Sequence, residues 1–404
     1  MSDRIAKSLP CGLATGCIAS TLLWALTTLA FTAELPRFNA WFKYAPSVTN
    51  EWVVTGDDGD PLRVALHLKN AGGLPKRILV LYPRPSSAYD TAITEMLQVF
   101  AVKEINAEIT VVNFQVNDAL GNAALRDAER SKEDLIIAMG SESTDWLYKH
   151  YRGGAIPVVS VCSKDPVQLG QIKDYESGSG NNFAFTSLNV PIEVQMAYVH
   201  ELRPNLKNLA VLVDSKNISA VKTQAEPIAT YAKQKGVQVI WGSLQTPDNA
   251  REELTKIIPA AVSAMRKTDP DLSESLFWIT GSTAVFREIR TINQFSDRVP
   301  VVSVVPEIVT KGDDTAVLAI GVSFESNAQL ATVYAARILN GVKPSTLKVG
   351  IVSPPDIAIS FRKARQIGLR VPFDFFEIAG FVYDYEGRAV RTANKTGTET
   401  TASQ

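Results

Sequence analysis

From Lys76 to about residue 367, short apolar runs alternate with longer amphipathic stretches. The runs 77–82, 108–114, 135–138 and 156–162 are apolar on both faces, as parallel strands covered by helices on each side are. Helical periodicity fills 87–104 and 120–130 between them. A Gly/Ser/Asn-rich stretch, 176–182, interrupts the rhythm and reads as a connection. It lacks a P-loop lysine and opens no helix. The pattern then restarts, with strands predicted at 209–214, 237–241, 276–280 and 299–304 and helices at 190–202, 217–235, 248–266 and 284–295. A further strand at 316–322, a helix at 325–340 ended by Gly341, a short strand at 347–352 and a helix at 356–367 complete it. Strand–helix–strand repetition implies right-handed crossovers. The fold expected is α/β, with two doubly wound, Rossmann-like lobes.

The ends of the chain read differently. Arg4 and Lys7 precede an uncharged, apolar run over 11–33, the pattern of an export signal. Residues 1–33 are thus expected to be a signal peptide, with Thr28 and Ala30 as small residues for cleavage. The run is also long enough to cross a bilayer, so an N-terminal membrane anchor is the alternative. Residues 34–75 carry Pro36, Pro46, Pro61 and the acidic turn 57–60, and read as a stalk or as an extension added to the first lobe. The turn lacks the ligand spacing of a calcium loop. The polar, Thr-rich tail over 384–404 has no apolar periodicity and is expected to be disordered.

Composition narrows the function. The chain is 46% hydrophobic and 21% charged, with a formal net charge of -1. It offers no basic face for nucleic acid. Its 3 histidines are scattered, and of its 3 cysteines only Cys162 lies in the folded body, so neither metal sites nor His-based catalysis are supplied. No cofactor fingerprint is present: Pro83, Arg84 and Pro85 stand where a dinucleotide site needs glycines. Residues 140–143 lack the full nucleophile-elbow pattern, and Cys162 has no histidine near it in sequence. An enzyme is not expected.

In doubly wound sheets ligands sit beyond the carboxyl ends of the strands. That rule selects Ser86, Ser87, Tyr89, Asp90 and Gln115, then Ser141, Glu142, Ser143, Ser163 and Asp165, and in the second lobe Asn217, Ser282, Thr283 and Glu307. Serines at helix starts suit a ligand carboxylate, although capping uses the same residues. Tyr89 and Phe324 are candidates to stack on a flat ligand, or to pack at the lobe edge. Asp165, before Pro166, either meets the ligand or fixes a turn.

Several stretches resemble the substrate-binding proteins of ABC transporters of the tryptophan/tyrosine type. They are the Asn-x-Gln pattern at Asn113 and Gln115, IPVVSVCSKDPV over 156–167, ELRPNLKNLAVLVD over 201–214, AARILNGVKP over 335–344 and SFRKARQIGL over 360–369. The resemblance covers about 76–372. It implies a type I periplasmic-binding fold, with lobe 1 at 76–184 plus 320–341 and lobe 2 at 185–319 plus 342–380. It also implies a small-molecule ligand, an amino acid or related carboxylate, clamped between the lobes, and delivery to ABC permease subunits served by a separate ATPase. The location implied is periplasmic or extracytoplasmic, with residues 11–33 as the inner-membrane anchor if uncleaved. The alternative is a membrane-tethered sensor or accessory protein using the same clamshell. Where family members carry acids, this chain has Gly281, Ser282 and Thr283, Lys216 in place of glutamate, and Ser323 and Phe324. The ammonium of an α-amino acid is therefore expected to lack partners there.

Overall fold

The computed structural model describes residues 37–392, except 58 and 311. The expected leader or anchor at 1–33, the start of the following segment and residues 393–404 lie outside the described residues.

Two sheets organise the chain. The first runs β1-β2-β4-β3-β5-β6-β7, built from β1 (Trp52–Gly56), β2 (Arg63–Leu68), β3 (Lys76–Tyr82), β4 (Ala107–Asn113), β5 (Leu135–Met139), β6 (Val158–Val161) and β7 (Phe183–Ala184). From β3 to β7 the pairings are parallel. All of β5 and β6 is buried, as strands covered on both faces must be. Helices Ser87–Val102, Asp118–Ser131 and Gly140–Tyr151 supply the crossovers.

Residues 52–68 extend this sheet instead of forming a stalk. β1 and β2 make an antiparallel hairpin, and β2 pairs antiparallel with β4. Asp57 and Asp60 shape its turn by accepting from the N–H groups of Gly59 (2.8 Å) and Leu62 (3.0 Å). The preceding segment buries Phe38, Trp41 and Phe42, and the last two pack edge-on to Tyr82. Trp52 is buried too, its Nε1 donating to Leu97 O at 3.0 Å.

After β8 (Thr186–Ser187), the second sheet runs β10-β9-β11-β12-β13-β15-β16-β17. It comprises β9 (Asn208–Asp214), β10 (Gln238–Leu244), β11 (Ser275–Ile279), β12 (Val301–Ser303), β13 (Leu318–Gly321), then β15 (Asp356–Ser360), β16 (Phe381–Tyr383) and β17 (Ala389–Arg391). β14 (Gly350–Ile351) pairs in parallel with β8 in a separate ribbon. The chain passes between the two sheets after β7, between β13 and helix Phe324–Leu339, and between β14 and β15. That helix follows a strand of the second sheet yet packs on helix Ser87–Val102 of the first, where Gln329 Nε2 donates to Glu95 Oε1 at 2.8 Å.

Two sequence expectations need correction. Residues 356–367 are not one helix: Asp356–Ser360 is an internal strand between β13 and β16, and only Phe361–Gln366 is helical. The apolar run over 357–359 is too short for periodicity to separate the two states. The tail is ordered at least to 392. Asp384 accepts from the N–H groups of Glu386 and Arg388, and β17 pairs with β16. Arg391 Nη1 donates to the carbonyls of Phe376, Glu377 and Ala379. All three β17 residues are exposed, so the strand is held by hydrogen bonds and shows no apolar signal.

Candidate functional site

The carboxyl ends of the first sheet form one wall of a cleft. Beyond β3, Ser86 caps helix Ser87–Val102, its Oγ accepting from Ala88 N at 3.3 Å. Tyr89, in the first turn of that helix, lies over the end of β5. There the chain turns at Gly140 with φ +81°, and a Cβ would meet Tyr89 Oη at 2.1 Å, so both backbone and space require glycine. Ser141 and Glu142 follow. Beyond β6, Cys162 takes φ 53°, and its N–H donates to Asn327 Oδ1 at 2.7 Å. Lys164 N–H donates to Ser141 Oγ at 2.9 Å, and Leu188 N–H to Ser163 O at 2.8 Å. The segment 162–164 is therefore tied to two helices and to the crossing segment that follows β8.

The opposite wall comes from the second sheet. Asp214 ends β9 and accepts from Lys216 N–H at 2.9 Å. Asn217 caps the next helix through Ala220 N at 3.2 Å. Gly281, after β11, donates its N–H to Gln224 Oε1 at 2.8 Å, and Thr283 opens a short helix. Asp248 comes from the loop after β10, and Arg287 Nη2 reaches Pro247 O at 3.3 Å.

Between the walls is a cavity of about 400 Å³ lined from both lobes. Larger depressions of about 760 and 740 Å³ exist, around Arg152 and Lys173 and around Arg203 and Arg370, but each is shallow and lies on a single lobe. The interlobe cavity differs from both in being walled by the two lobes.

Of the sequence candidates, Ser86, Tyr89, Ser141, Glu142, Asn217, Thr283 and Phe324 line this cavity. The others lie elsewhere. Ser87 is exposed, and Gln115 is exposed on a turn at φ 55°. Asp90 faces the N-terminal extension, where burial raises its carboxyl to about 6 against the backbone N–H of Lys43. Asp165 is buried in a turn, accepting from Val167 N, Gln168 N and Tyr175 Oη, the last at 2.6 Å. Ser143 and Ser163 are buried, and their hydroxyls have no partner among the described residues. Ser282 is buried and accepts from Thr280 Oγ1 at 3.1 Å. Glu307 sits behind Phe324, whose N–H it accepts at 2.5 Å.

The cleft also gathers charges that the strand-end reading passed over: Arg84, Lys164, Asp214, Lys216, Asp248 and Arg287. Arg84, Lys164, Asp214 and Lys216 were within reach of that rule, since Arg84 follows β3 closely, Lys164 lies between Ser163 and Asp165, Asp214 ends β9 and Lys216 adjoins Asn217. Asp248, in a short 3-10 turn, and Arg287, after a short helix, carry no periodic signal. The positions where the family pattern carries acids have none, but Glu142 on one wall and Asp214 and Asp248 on the other bring acids to the cleft from other positions. Arg84 and Glu142 pair at 2.5 Å. Lys164 is 7% exposed, and burial pushes its ammonium down to about 8, with Glu142 opposing the shift. Burial raises the Cys162 thiol, with Glu307 adding to the effect, so the protonated form dominates and it is a poor nucleophile. Among the described residues no cluster of three or more His, Cys, Asp or Glu side chains is placed to hold a metal, and no helix is long and apolar enough to cross a membrane.

Two Rossmann-like lobes, crossing segments between them and a polar interlobe cleft define a type I periplasmic-binding fold. The family profile for ABC transporter substrate binding proteins matches residues 86–380, and the chain belongs to that family. It is 22% identical over 229 residues to a tyrosine-binding protein of Clostridioides difficile (strain R20291), a match covering 57% of this chain and 61% of that protein. The fold is similar to that of a conserved domain protein from Vibrio cholerae (TM-score 0.62, 18% identity, 76% of this chain and 100% of that one). It is equally similar to an ABC domain from Streptococcus pneumoniae solved in complex with L-Trp (TM-score 0.62, 17% identity, 76% and 100%).

Proposed function

We propose that the protein is an extracytoplasmic solute-binding protein that captures an amino acid or related carboxylate by lobe closure and delivers it to an ABC permease whose ATPase is a separate subunit. The observation that carries this reading is the interlobe cleft, walled by both sheets and bearing charges of both signs. An α-amino acid needs a cation for its carboxylate and an acid for its ammonium, and Lys164, Asp214 and Asp248 provide both. Tyr89 and Phe324 line the same cavity and suit an aromatic side chain. The names of the tyrosine-binding relative and the tryptophan complex point the same way. Ligand favours the closed form because only there do both walls touch it. Burial keeps the Cys162 thiol protonated and a poor nucleophile, which supports capture without transformation of the solute.

The test is thermal unfolding of the protein against aromatic and aliphatic amino acids, their keto-acid and amide analogues, purines and small carboxylates. A solute bound only by the folded state raises the melting temperature by mass action, by the equivalent of about 2.7 kcal/mol at 100 times its Kd. A shift confined to one chemical class is expected. No shift across the panel would turn the reading to a tethered sensor or accessory protein.

A further inference from the structure

Lys164 is more than nine-tenths buried, and its side chain lines the cleft between the lobes. Among the described residues no acceptor or acid takes a hydrogen bond or ion pair from its Nζ, which reaches the open space of the cleft; Ser141 Oγ accepts from its backbone N–H instead. The nearest acid on its own wall, Glu142, is taken by Arg84. A largely buried cation without a partner costs stability, and costs of this kind are tolerated where a site serves function. The backbone is also committed to this placement. Cys162 holds a left-handed φ of 53°, rarely adopted outside glycine, and the next residues are pinned by Asn327, Ser141 and Leu188. A cation is thus held at the cleft by a committed backbone, with no acid of the described residues paired to it.

We propose that Lys164 is the anion anchor of the cleft: its ammonium pairs with the carboxylate of the bound solute, so the site selects acids over their amides and over the corresponding amines. This rests on the solute-binding reading above. On the facing wall, Asp214 and Asp248 are then left for a cationic group, beside the exposed Lys216 and Arg287. A solute without a carboxylate leaves Lys164 buried and unpaired on closure, which is the penalty that produces the selection.

The full-length protein is compared with K164M and K164R by thermal unfolding and calorimetric titration at pH 7. The probes are L-tyrosine, L-tyrosinamide and tyramine, then L-tryptophan, L-tryptophanamide and tryptamine, and succinate. At least one acid is expected to shift the wild type, and its amide and amine are not. K164M should bind that acid at least ~30-fold more weakly, with K164R between the two. Without any probe, K164M should melt at or above the wild-type temperature, because the unpaired cation is gone. An amide that binds as well as its acid, or K164M binding unchanged, overturns the anchor while leaving the solute-binding reading intact. So does a ligand-free K164M that melts several degrees lower, which would make Lys164 a structural residue. If no probe shifts the wild type, the solute-binding reading fails for these classes and the anchor fails with it.

Discussion

At the residue scale, two positions join backbone and chemistry. Gly140 turns the chain from β5 into its helix under Tyr89. Gly140→Ala should cost about 1–3 kcal/mol from the positive φ alone, and more from the clash with Tyr89 Oη; chemical denaturation checks this, and an unchanged midpoint would refute it. Glu307 has one oxygen on the N–H of Phe324 and the other buried without a partner among the described residues. Burial, with Asp356 and Glu325 acting in the same direction, raises its carboxyl to about 7 from 4.5, although the Phe324 N–H opposes the shift. A group raised in the folded state stabilises below its unfolded value, and that contribution is lost as pH rises through about 7. The wild type should therefore lose melting temperature relative to Glu307→Gln between pH 5 and 8, and parallel profiles would contradict it. Lys164 shifts the opposite way, and its effect on stability lies between about 8 and 10.5, outside that window. The site was legible in part for a physical reason. Ser86, Tyr89, Ser141, Asn217 and Thr283 sit at strand-to-helix junctions, which apolar patterning locates. Lys164 lies at such a junction too, between Ser163 and Asp165, but it faces the cleft after left-handed Cys162, and Asp248 does so from a short 3-10 turn; apolar patterning encodes neither orientation.

At the element scale, parallel strands were the most legible parts, because β3, β5, β9 and β11 are buried on both faces and read as continuous apolar runs. The antiparallel additions were not. The hairpin β1–β2 is half exposed and interrupted by an Asp/Gly/Pro turn, and β17 is wholly exposed. The extension nonetheless shapes the cleft, since Trp41 and Phe42 pack on Tyr82, and Tyr82 on Tyr89 at 5.7 Å. Trp52 ties the same extension to helix Ser87–Val102, whose first turn carries Tyr89. Trp52→Ala should destabilise by about 3–5 kcal/mol, through a cavity and a lost hydrogen bond to Leu97 O. A loss below about 1 kcal/mol in denaturant titration would show that the extension is only peripherally attached.

At the scale of the whole molecule, carboxylates of the second sheet cap a helix that packs on the first. Glu307 accepts from Phe324 N and Asp356 Oδ2 from Ser323 N at 2.8 Å, so this crossing is a defined joint. Asn327, fully buried, links Cys162, Thr186 and Ser187 around the neighbouring crossing. Bonds concentrated at the crossings, with a polar cavity beyond them, are what closure by rotation of two rigid lobes requires. The most direct test is small-angle X-ray scattering of the protein with and without the acid that raises its unfolding temperature most. The account predicts that the radius of gyration and the maximum dimension fall as the solute saturates. Saturation with superimposable scattering curves would contradict capture by lobe closure.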